Sequence, residues 1–447
     1  MNQKKKVRDI FVVGFALFAM FLGAANIIFP PYLGARSGSA WLLAGLGFIL
    51  TGTGLPLLGI VATARAGGNA EDISARVSAR FSRGFITLLI LFIGPLFAVP
   101  RTAATTVELS VLPFLPEQTP HLPVLIIGSG VFFAICLSFV LNPSKAIDKI
   151  GNYLTPVLLV FLLSLIALSI VRPIGVPGDP DPEFLEKGMF YQGFTTGYQT
   201  MDALASILFC ATVFHSLTQK GYSEAETKKM MLPIAILAAV GTTIVYSGFI
   251  WIGASASREL SGIQDFSSLT VAAVTLLAGI YGRIILAIII FLACCTTAIG
   301  LIMTCSEYFY KIGNGKYRYK SIAILVTFLA YAISIIGVDG IIGLAAPVLE
   351  VMYPAVIVLI VLNLFGTRIK HDYAFHGALI AALPATVLNV LRLYKTTRPI
   401  ADRWLSFFPL GDAGFGAFIP AVGGAIIGML IGLQIEKKKK ASQKITG

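Results

Sequence analysis

Charged residues are scarce in this sequence. Asp, Glu, Lys and Arg make up 13% of the 447 residues, whereas 56% of the residues are hydrophobic. Soluble domains usually carry about 25% charged residues, and the mean hydropathy of +0.85 is correspondingly high. So few charges cannot cover the surface of a soluble protein of this length. The composition therefore predicts an all-helical protein that crosses a membrane several times.

The charges that are present favour one sign, with a formal net charge of +12. Lys and Arg occur in short runs between apolar stretches, which is typical of cytoplasmic loops in membrane proteins. No stretch interleaves basic and aromatic residues in the manner of a nucleic-acid surface. The sequence thus predicts a lipid bilayer as partner and no nucleic acid, and it gives no sign of an obligate protein partner.

Residues for covalent, redox or metal chemistry are few. The four histidines have no metal-ligand spacing, and Gly313–Lys316 lacks the spacing of a phosphate-binding loop. The cysteines lie in apolar segments without a Cys-x-x-Cys pair, so no disulfide framework is expected: Cys136, Cys210, Cys294, Cys295 and Cys305. No nucleophile with a base is visible inside a span. We therefore expect no enzyme, no resident cofactor and no use of ATP.

Apolar stretches of spanning length recur along the chain. The first continues past Ala24–Ala25 and exceeds a signal-peptide core of about 7–15 residues, so we expect it to be retained. Residues 255–282 are too polar at their start to span, and we interpret them as a loop plus a short apolar hairpin or helix on the outer face. The sequence predicts twelve spans, at about residues 10–33, 40–63, 85–111, 123–141, 153–171, 194–214, 232–253, 284–308, 322–336, 341–364, 375–390 and 414–434.

An even number of spans puts both termini on one side of the membrane. Basic residues at Lys4–Lys6 and Lys437–Lys440 predict that this side is the cytoplasm. One loop conflicts with this topology, because its basic residues fall outside: Arg392, Lys395, Arg398 and Arg403. Losing one of the last two spans would move that loop inside but would place the C-terminal lysines outside, so twelve spans are retained.

Two predicted spans are interrupted at a depth where backbone groups without helical hydrogen bonds cannot face lipid. Gly23–Pro31 places Gly, Asn and two prolines near mid-depth of the first span, and Gly197–Asp202 opens the sixth. If spans one to five and six to ten form two halves, the breaks occupy matching positions in an inverted repeat, which points to a transporter's midplane site. We expect one membrane domain over residues 1–435, with repeats at about 10–171 and 194–364, extra helices at 375–434, and a basic tail at 436–447.

Free amides, free carbonyls and Asn26 at such breaks would suit a small zwitterion and a cation. The sequence predicts substrate ligands in both breaks: Gly23, Ala24, Ala25, Asn26, Tyr198, Gln199 and Asp202. The apolar walls around them would favour branched side chains, since burying each CH₂ is worth about 0.8 kcal/mol.

Three separated motifs carry a resemblance to a known family. Gly23–Pro31, Gly94–Thr102 and Gly197–Leu204 resemble the signatures of the branched-chain amino acid:cation symporters, the BrnQ-type carriers. The resemblance extends over essentially the whole chain. It implies uptake of leucine, isoleucine and valine with Na⁺ or H⁺ across the bacterial cytoplasmic membrane. It also implies the five-plus-five fold of the bacterial leucine transporter, with broken spans one and six.

The wider group to which this resemblance points holds a Na⁺ between broken span one and span eight. The pattern Ala293-Cys294-Cys295-Thr296-Thr297 matches its span-eight motif. The implied ligands are hydroxyls on span eight and carbonyls on both spans: Ala19, Leu22, Ala293, Thr296 and Thr297. The alternative for the two threonines is back-bonding to their own helix, a common habit of Thr in membrane helices.

Ionisable residues inside spans are functional candidates by default. Arg101 and Glu108 are seven residues apart, so they share a helix face at about 10 Å separation. Asp202 could receive the substrate ammonium, the cation or a proton. Glu350, between two prolines, is a further coupling candidate; for each of these residues a purely structural partner is the alternative.

Other solutes remain open at this point. Related folds carry aromatic amino acids or nucleobases, and a channel is a more distant alternative because no ring of pore residues is visible. The coupling ion, the stoichiometry and the oligomeric state do not follow from the sequence.

Overall fold

The helical content predicted from composition is present in the structure, a computed structural model. It describes residues 3–116, 118–142, 147–314, 316–366, 368–369, 371–392, 394–408 and 416–445. Within these ranges every regular element is a helix. Nine helical stretches there are long and apolar enough to cross a membrane, or up to ten if Tyr319–Ser334 and Val338–Leu349 form one bent span. The total of twelve spans stays a prediction.

Each predicted span has a helix in the structure, although several are interrupted. π-helical turns at Leu50–Gly54 and Phe92–Leu96 join α3 to α4 and α6 to α7. The helices are α1 Gln3–Phe21, α2 Ala24–Ser37, α3 Trp41–Ile49, α4 Leu55–Ala66, α5 Asp72–Ala75, α6 Ala79–Leu91, α7 Ala98–Ser110, α8 His121–Val140, α9 Ile147–Val171, α10 Pro182–Lys187, α11 Met189–Tyr198, α12 Asp202–Gln219, α13 Glu224–Ser255, α14 Phe266–Ile312, α15 Tyr319–Ser334, α16 Val338–Leu364, α17 Tyr373–Arg392, α18 Arg398–Leu405 and α19 Phe418–Ile445.

The chain divides into two compact units. The first comprises Met1–Ile60 and Ile90–Gly343, and the second comprises Val61–Leu89 and Leu344–Gly447. In the second unit α17 packs on α19 at Gly377 and Gly424, where a Cβ on either glycine would lie 2.1 Å from the other's carbonyl oxygen. Small residues thus allow these two helices to approach closely, as is common in membranes.

Glycines also set the packing of the first unit around its broken helices. A Cβ on Gly34 of α2 would lie 1.9 Å from the Ile250 carbonyl oxygen of α13, and a Cβ on Gly253 would lie 1.9 Å from that of Pro31. On α11, a Cβ at Gly193 would lie 1.8 Å from the Ala44 carbonyl oxygen of α3. Backbone contacts of this kind hold α2 and α11, the second half of the first span and the first half of the sixth, in fixed positions.

The start of α1 is held by a polar cluster. The buried Asp9 accepts a 2.8 Å hydrogen bond from the hydroxyl of Tyr222, and Lys220 Nζ lies 3.9 Å from Asp9 and 2.7 Å from Asp148. Burial, and after it the bond to Asp9, raises the pKa of Tyr222 to about 12. This cluster connects α1, the α12–α13 loop and the start of α9.

Residues 255–282 form a helix rather than a hairpin over most of their length. Asp265 caps α14, with its carboxylate accepting a 2.5 Å bond from the Ser268 amide. The helix bends at Ala278 and Gly279, where Gly279 has a φ of +58° that glycine adopts readily. Turns and coil over residues 256–265 precede a short helix that meets the eighth predicted span at this kink, so the predicted loop and short helix are both present.

Candidate binding site

The break in the first span lies at Leu22–Gly23, between α1 and α2. Gly23 has extended backbone, and its amide donates to the side-chain oxygen of Asn26 at 3.1 Å. Pro30 and Pro31, which the sequence analysis counts as part of the interruption, lie inside α2. The prolines cannot donate to the carbonyls four residues earlier, but they do not end the helix. Gly23 therefore marks the break.

The break in the sixth span lies between Tyr198 and Asp202, as the sequence predicts. Met201 has a φ of +66° and a ψ of +8°, a left-handed conformation that is uncommon for a residue with a side chain. Thr200 stabilises the turn, because its hydroxyl donates to the Gly197 carbonyl at 2.8 Å. The turn places the Asp202 carboxylate at the start of α12, where an acidic residue is favoured by the helix dipole.

Side chains from three helices connect the two breaks. Asn26 Nδ2 donates to Asp202 Oδ2 at 2.5 Å and also bonds the hydroxyl oxygen of Tyr246 on α13. The Tyr246 hydroxyl in turn donates to Asp202 Oδ2 at 3.0 Å. All three side chains are buried. The carboxylate therefore receives two neutral hydrogen-bond donors at the point where both spans are interrupted.

Arg101 of α7 reaches the same region from the third span. Its Nη1 lies 3.1 Å from the Gln199 carbonyl oxygen and its Nη2 lies 3.5 Å from that of Thr200. The guanidinium also lies over the Phe29 ring, 5.8 Å from its centroid. A cation is favourable here because these carbonyls end α11, at the negative end of its dipole.

A cavity of about 20 Å³ lies between these elements. That is room for about one or two water molecules, since roughly 10–15 Å³ holds one. An amino acid therefore requires the surrounding helices to move apart. The lining combines a few polar groups with apolar walls: Met20, Phe21, Gly23, Ala24, Asn26, Ile93, Ala98, Arg101, Thr102, Thr200, Met201, Asp202, Ala205, Phe209, Thr297 and Leu301.

Hydroxyl and carbonyl oxygens converge where α14 meets the end of α1. The Thr297 hydroxyl lies 2.9 Å from the Met20 carbonyl oxygen and 3.4 Å from that of Ala19. The Thr296 hydroxyl lies 2.9 Å from the carbonyl oxygens of both Ala19 and Ala293. Two threonine hydroxyls and three backbone carbonyls, each carbonyl within hydrogen-bond reach of one of those hydroxyls, supply neutral hard oxygens of the kind that a small cation prefers. The bond from Thr296 to Ala293 is also the back-bonding to its own helix that was the alternative for this residue.

Gly23 connects this oxygen cluster with the cavity. A Cβ added at Gly23 would lie 3.2 Å from both Cγ2 and Oγ1 of Thr297, and Thr297 itself lines the cavity. The helix break, the cavity and the oxygen cluster therefore meet at one pair of residues.

The residues predicted to bind substrate separate into two groups. Those that line the cavity are Gly23, Ala24, Asn26 and Asp202. The remaining three, Ala25, Tyr198 and Gln199, do not line it: Ala25 is buried, the Tyr198 ring packs edge-on against Phe194, and Gln199 contributes its carbonyl to Arg101. Local sequence around a break identifies the segment but not which side of it faces inward.

The residues predicted for the cation are also mostly together. Ala19, Ala293, Thr296 and Thr297 contribute to the oxygen cluster, and Met20 contributes a carbonyl that the sequence analysis did not include. Leu22 is buried, and its amide donates to the Phe18 carbonyl at 3.0 Å. In the described contacts, the Met20 carbonyl bonds the Thr297 hydroxyl, a role that the sequence predicted for the Leu22 carbonyl.

Glu108 is an ionisable candidate whose described contacts lie away from the helix breaks. Glu108 accepts a 2.9 Å bond from the Val338 amide at the start of α16 and a 3.2 Å bond from the Ser267 hydroxyl. It is not part of the cavity lining. The side chain of Glu350 falls outside the described residues. Of the two coupling candidates whose side chains are described, Arg101 lines the cavity and Glu108 does not.

Several lining residues carried no signal in the sequence. Ile93, Ala205, Phe209 and Leu301 are apolar residues in apolar helices, so only the tertiary fold shows that they face the cavity. Tyr246 is different, because an isolated tyrosine within an apolar span requires a hydrogen-bond partner when buried. That requirement could have identified it as a member of the polar group.

Comparison with protein families shows a match over nearly the whole chain. The family described as branched-chain amino acid transport protein matches residues 6–435. The branched-chain amino acid permease BrnQ of Bacillus subtilis is 34% identical over 440 residues, covering 97% of this chain and 99% of the relative. The branched-chain amino acid transport system 2 carrier protein of Pseudomonas aeruginosa is 34% identical over 435 residues, covering 97% and 98%.

Solved structures are similar in fold at much lower identity. Mhp1, a transporter of the nucleobase-cation-symport-1 family, superposes with a TM-score of 0.63 at 15% identity, covering 95% of this chain and 93% of Mhp1. MhsT in complex with L-phenylalanine has a TM-score of 0.53 at 16% identity, covering 94% and 98%. At such identities the likeness concerns the fold alone, and it confirms the predicted all-helical transporter architecture.

Proposed function

Because this chain belongs to the branched-chain amino acid transport protein family, we propose that it takes up leucine, isoleucine and valine by symport with Na⁺. The amino acid binds between the two helix breaks, and the ion binds at the oxygen cluster beside them. The protein is an integral membrane carrier of the bacterial cytoplasmic membrane, and both of its termini face the cytoplasm. Transport proceeds by alternating access, in which the cavity opens to one side at a time.

The meeting of two helix breaks around one cavity is the observation that carries this proposal. Gly23 and Asp202 lie at breaks in different spans, yet both line the same cavity and are connected through Asn26. Interrupted helices expose amides and carbonyls that bind charged groups away from lipid. Such an arrangement serves binding and release, and the described residues of the site supply no pair of a nucleophile and a base.

The lining of the cavity supports an aliphatic substrate. Phe21, Ile93, Phe209 and Leu301 offer apolar surface on several sides. A branched side chain gains about 0.8 kcal/mol for each CH₂ that it buries there. Phe21 and Phe209 pack edge-on with ring centroids 5.3 Å apart, so they form one continuous apolar wall. Aromatic amino acids and nucleobases, which related folds carry, are the alternative substrates that the competition experiment distinguishes.

Na⁺ is the coupling ion that the oxygen cluster favours. Thr296, Thr297, Ala19, Met20 and Ala293 supply uncharged oxygens from two helices, one of which ends at the break. An ion there would connect α1 to α14 beside the substrate. A proton on Asp202 is the second candidate, because that buried carboxylate is bonded by the neutral donors Asn26 and Tyr246.

Competition for uptake tests the proposal. Cells expressing the protein are given labelled leucine together with each of the twenty amino acids, or uracil, in excess, with and without Na⁺. We expect strong inhibition by leucine, isoleucine and valine, and loss of accumulation when Na⁺ is replaced by choline. Equal inhibition by phenylalanine or uracil would contradict the proposed substrate class, and uptake that follows the pH gradient without Na⁺ would favour the proton.

A further inference from the structure

Two buried side chains of opposite charge line the cavity. Arg101 is 4% exposed and Asp202 is 4% exposed, and both are among the residues that surround the same small space. They come from different spans, α7 and α12. Buried charges are costly and usually have a defined role in a membrane. An amino acid carries the same two charges on adjacent groups of one carbon atom.

Arg101 is arranged to receive an anion. The acceptors described for its two terminal nitrogens are the backbone carbonyls of Gln199 and Thr200, at 3.1 and 3.5 Å. These two acceptors are neutral, and the contact to Thr200 is long. A carboxylate accepts from a guanidinium through two parallel bonds and binds about twice as strongly as a neutral acceptor. A carboxylate entering the cavity would therefore compete well for these donors.

Asp202 is arranged to receive a cation. Asn26 and Tyr246 both donate to the same carboxylate oxygen, Oδ2. An ionised carboxylate has two oxygens and about four acceptor sites, so Oδ1 and the remaining sites of Oδ2 can accept from a substrate ammonium. The two neutral donors fix the orientation of the carboxylate without neutralising its charge.

We propose that Arg101 and Asp202 bind the two ends of the zwitterion. The guanidinium takes the α-carboxylate, Asp202 takes the α-ammonium, and the side chain lies against Phe21, Phe209 and Leu301. The reverse orientation would place like charges together. This assignment rests on the proposed function, since it describes how that same site recognises an amino acid. Asn26 and Tyr246 are positioning residues in this arrangement.

One consequence connects recognition with movement. The carbonyls that Arg101 contacts belong to the break between α11 and α12. Substrate binding therefore replaces the bonds of Arg101 to the break with bonds to the substrate carboxylate. A solute without a carboxylate would leave Arg101 on the break. The arrangement therefore selects amino acids over amines and over hydroxy acids of the same shape.

Isosteric ligands test each end separately. Leucinamide keeps the ammonium but has no carboxylate charge, and 2-hydroxy-4-methylpentanoate keeps the carboxylate but has no ammonium. Competition against labelled leucine on the purified full-length chain gives their affinities. We expect the wild type to prefer leucine to either analogue by about thirtyfold or more, the effect of removing one partner of a buried charge pair.

Substitutions should remove these preferences one at a time. In Arg101→Gln we expect the preference for leucine over leucinamide to fall below about threefold, while the preference over the hydroxy acid remains. In Asp202→Asn we expect the opposite pattern. Glu108→Gln is the matched control, because it neutralises a half-buried carboxylate of α7 outside the cavity and should change neither preference.

Each outcome decides a different point. A wild type that does not bind leucine contradicts the proposed function itself. A wild type that binds leucine but keeps both preferences in Arg101→Gln and Asp202→Asn contradicts the zwitterion arrangement and leaves transport intact. A folded variant that binds none of the three ligands also contradicts it, since its intact end should still recognise one analogue. If a variant does not fold, Arg101→Lys and Asp202→Glu replace it; they should bind leucine more weakly but retain both preferences.

Discussion

Removal of one hydroxyl from the oxygen cluster should weaken Na⁺ binding and so raise the Na⁺ concentration that transport requires. The Thr297 hydroxyl lies 2.9 Å from the Met20 carbonyl oxygen and 3.4 Å from that of Ala19, so it points from α14 to the end of α1. Thr297→Ala deletes this oxygen and leaves the other four. A lost contact to a charged group costs about 1.5–3 kcal/mol. At about 1.4 kcal/mol per factor of ten, this is a ten- to more than hundredfold loss of ion affinity.

The assay is labelled leucine uptake into liposomes that contain the purified protein, measured over a series of Na⁺ concentrations. We expect Thr297→Ala to raise the half-maximal Na⁺ concentration at least about tenfold, with a much smaller change in leucine affinity at saturating Na⁺. Thr297→Ser keeps the hydroxyl and should stay close to the wild type. Thr327→Ala is a matched control, because the Thr327 hydroxyl donates to Ala323 of its own helix.

A purely structural role for Thr297 predicts a different result. If its hydroxyl only connects α14 to α1, Thr297→Ala should lower the melting temperature and leave the half-maximal Na⁺ concentration unchanged. That result would refute the cation site. If the protein is coupled to H⁺ instead, Thr297→Ala should have no effect on coupling, and Asp202→Asn should abolish uptake driven by a pH gradient.

Two further predictions concern packing and topology. Gly193→Ala should destabilise the purified protein by about 2 kcal/mol or more, because its Cβ would lie 1.8 Å from the Ala44 carbonyl oxygen. Gly84→Ala is the control, since a Cβ there meets no atom within 4 Å. A melting temperature of Gly193→Ala no lower than that of Gly84→Ala would argue against this contact. Cysteines introduced at Lys4 and Lys437, both exposed, should react with an impermeant maleimide only after the cells are opened, and labelling of intact cells at either position would refute cytoplasmic termini.

Much of the fold followed from the sequence because its signals are local. Long apolar runs give the helices, and Gly23 and Gly197–Asp202 mark the interrupted spans, since lipid does not tolerate free backbone groups. The prolines of the first motif were misleading: Pro30 and Pro31 lie inside α2. Surrounding protein stabilises a helix that propensity alone would end. The cap at Asp265 was a readable signal for the helix that begins at Phe266.

The site itself was only partly predictable. Asn26 and Asp202 were evident as polar residues in breaks, but their bond to each other spans 176 positions in the chain. Likewise, Met20 rather than Leu22 supplies a carbonyl to the oxygen cluster. Which residue does so depends on where α1 ends before Gly23. Apolar lining residues such as Phe209 are indistinguishable from other core residues until the helices are packed. Contacts between distant segments leave no pattern in a single sequence.

Gradient-driven uptake of leucine distinguishes a symporter from a facilitator. Liposomes containing the purified protein are given labelled leucine with an inward Na⁺ gradient, or with equal Na⁺ on both sides. We expect leucine to accumulate above its external concentration only with the gradient, and isoleucine and valine to abolish the accumulation. Equal uptake in the absence of any Na⁺ or H⁺ gradient would contradict this expectation and identify the protein as a facilitator.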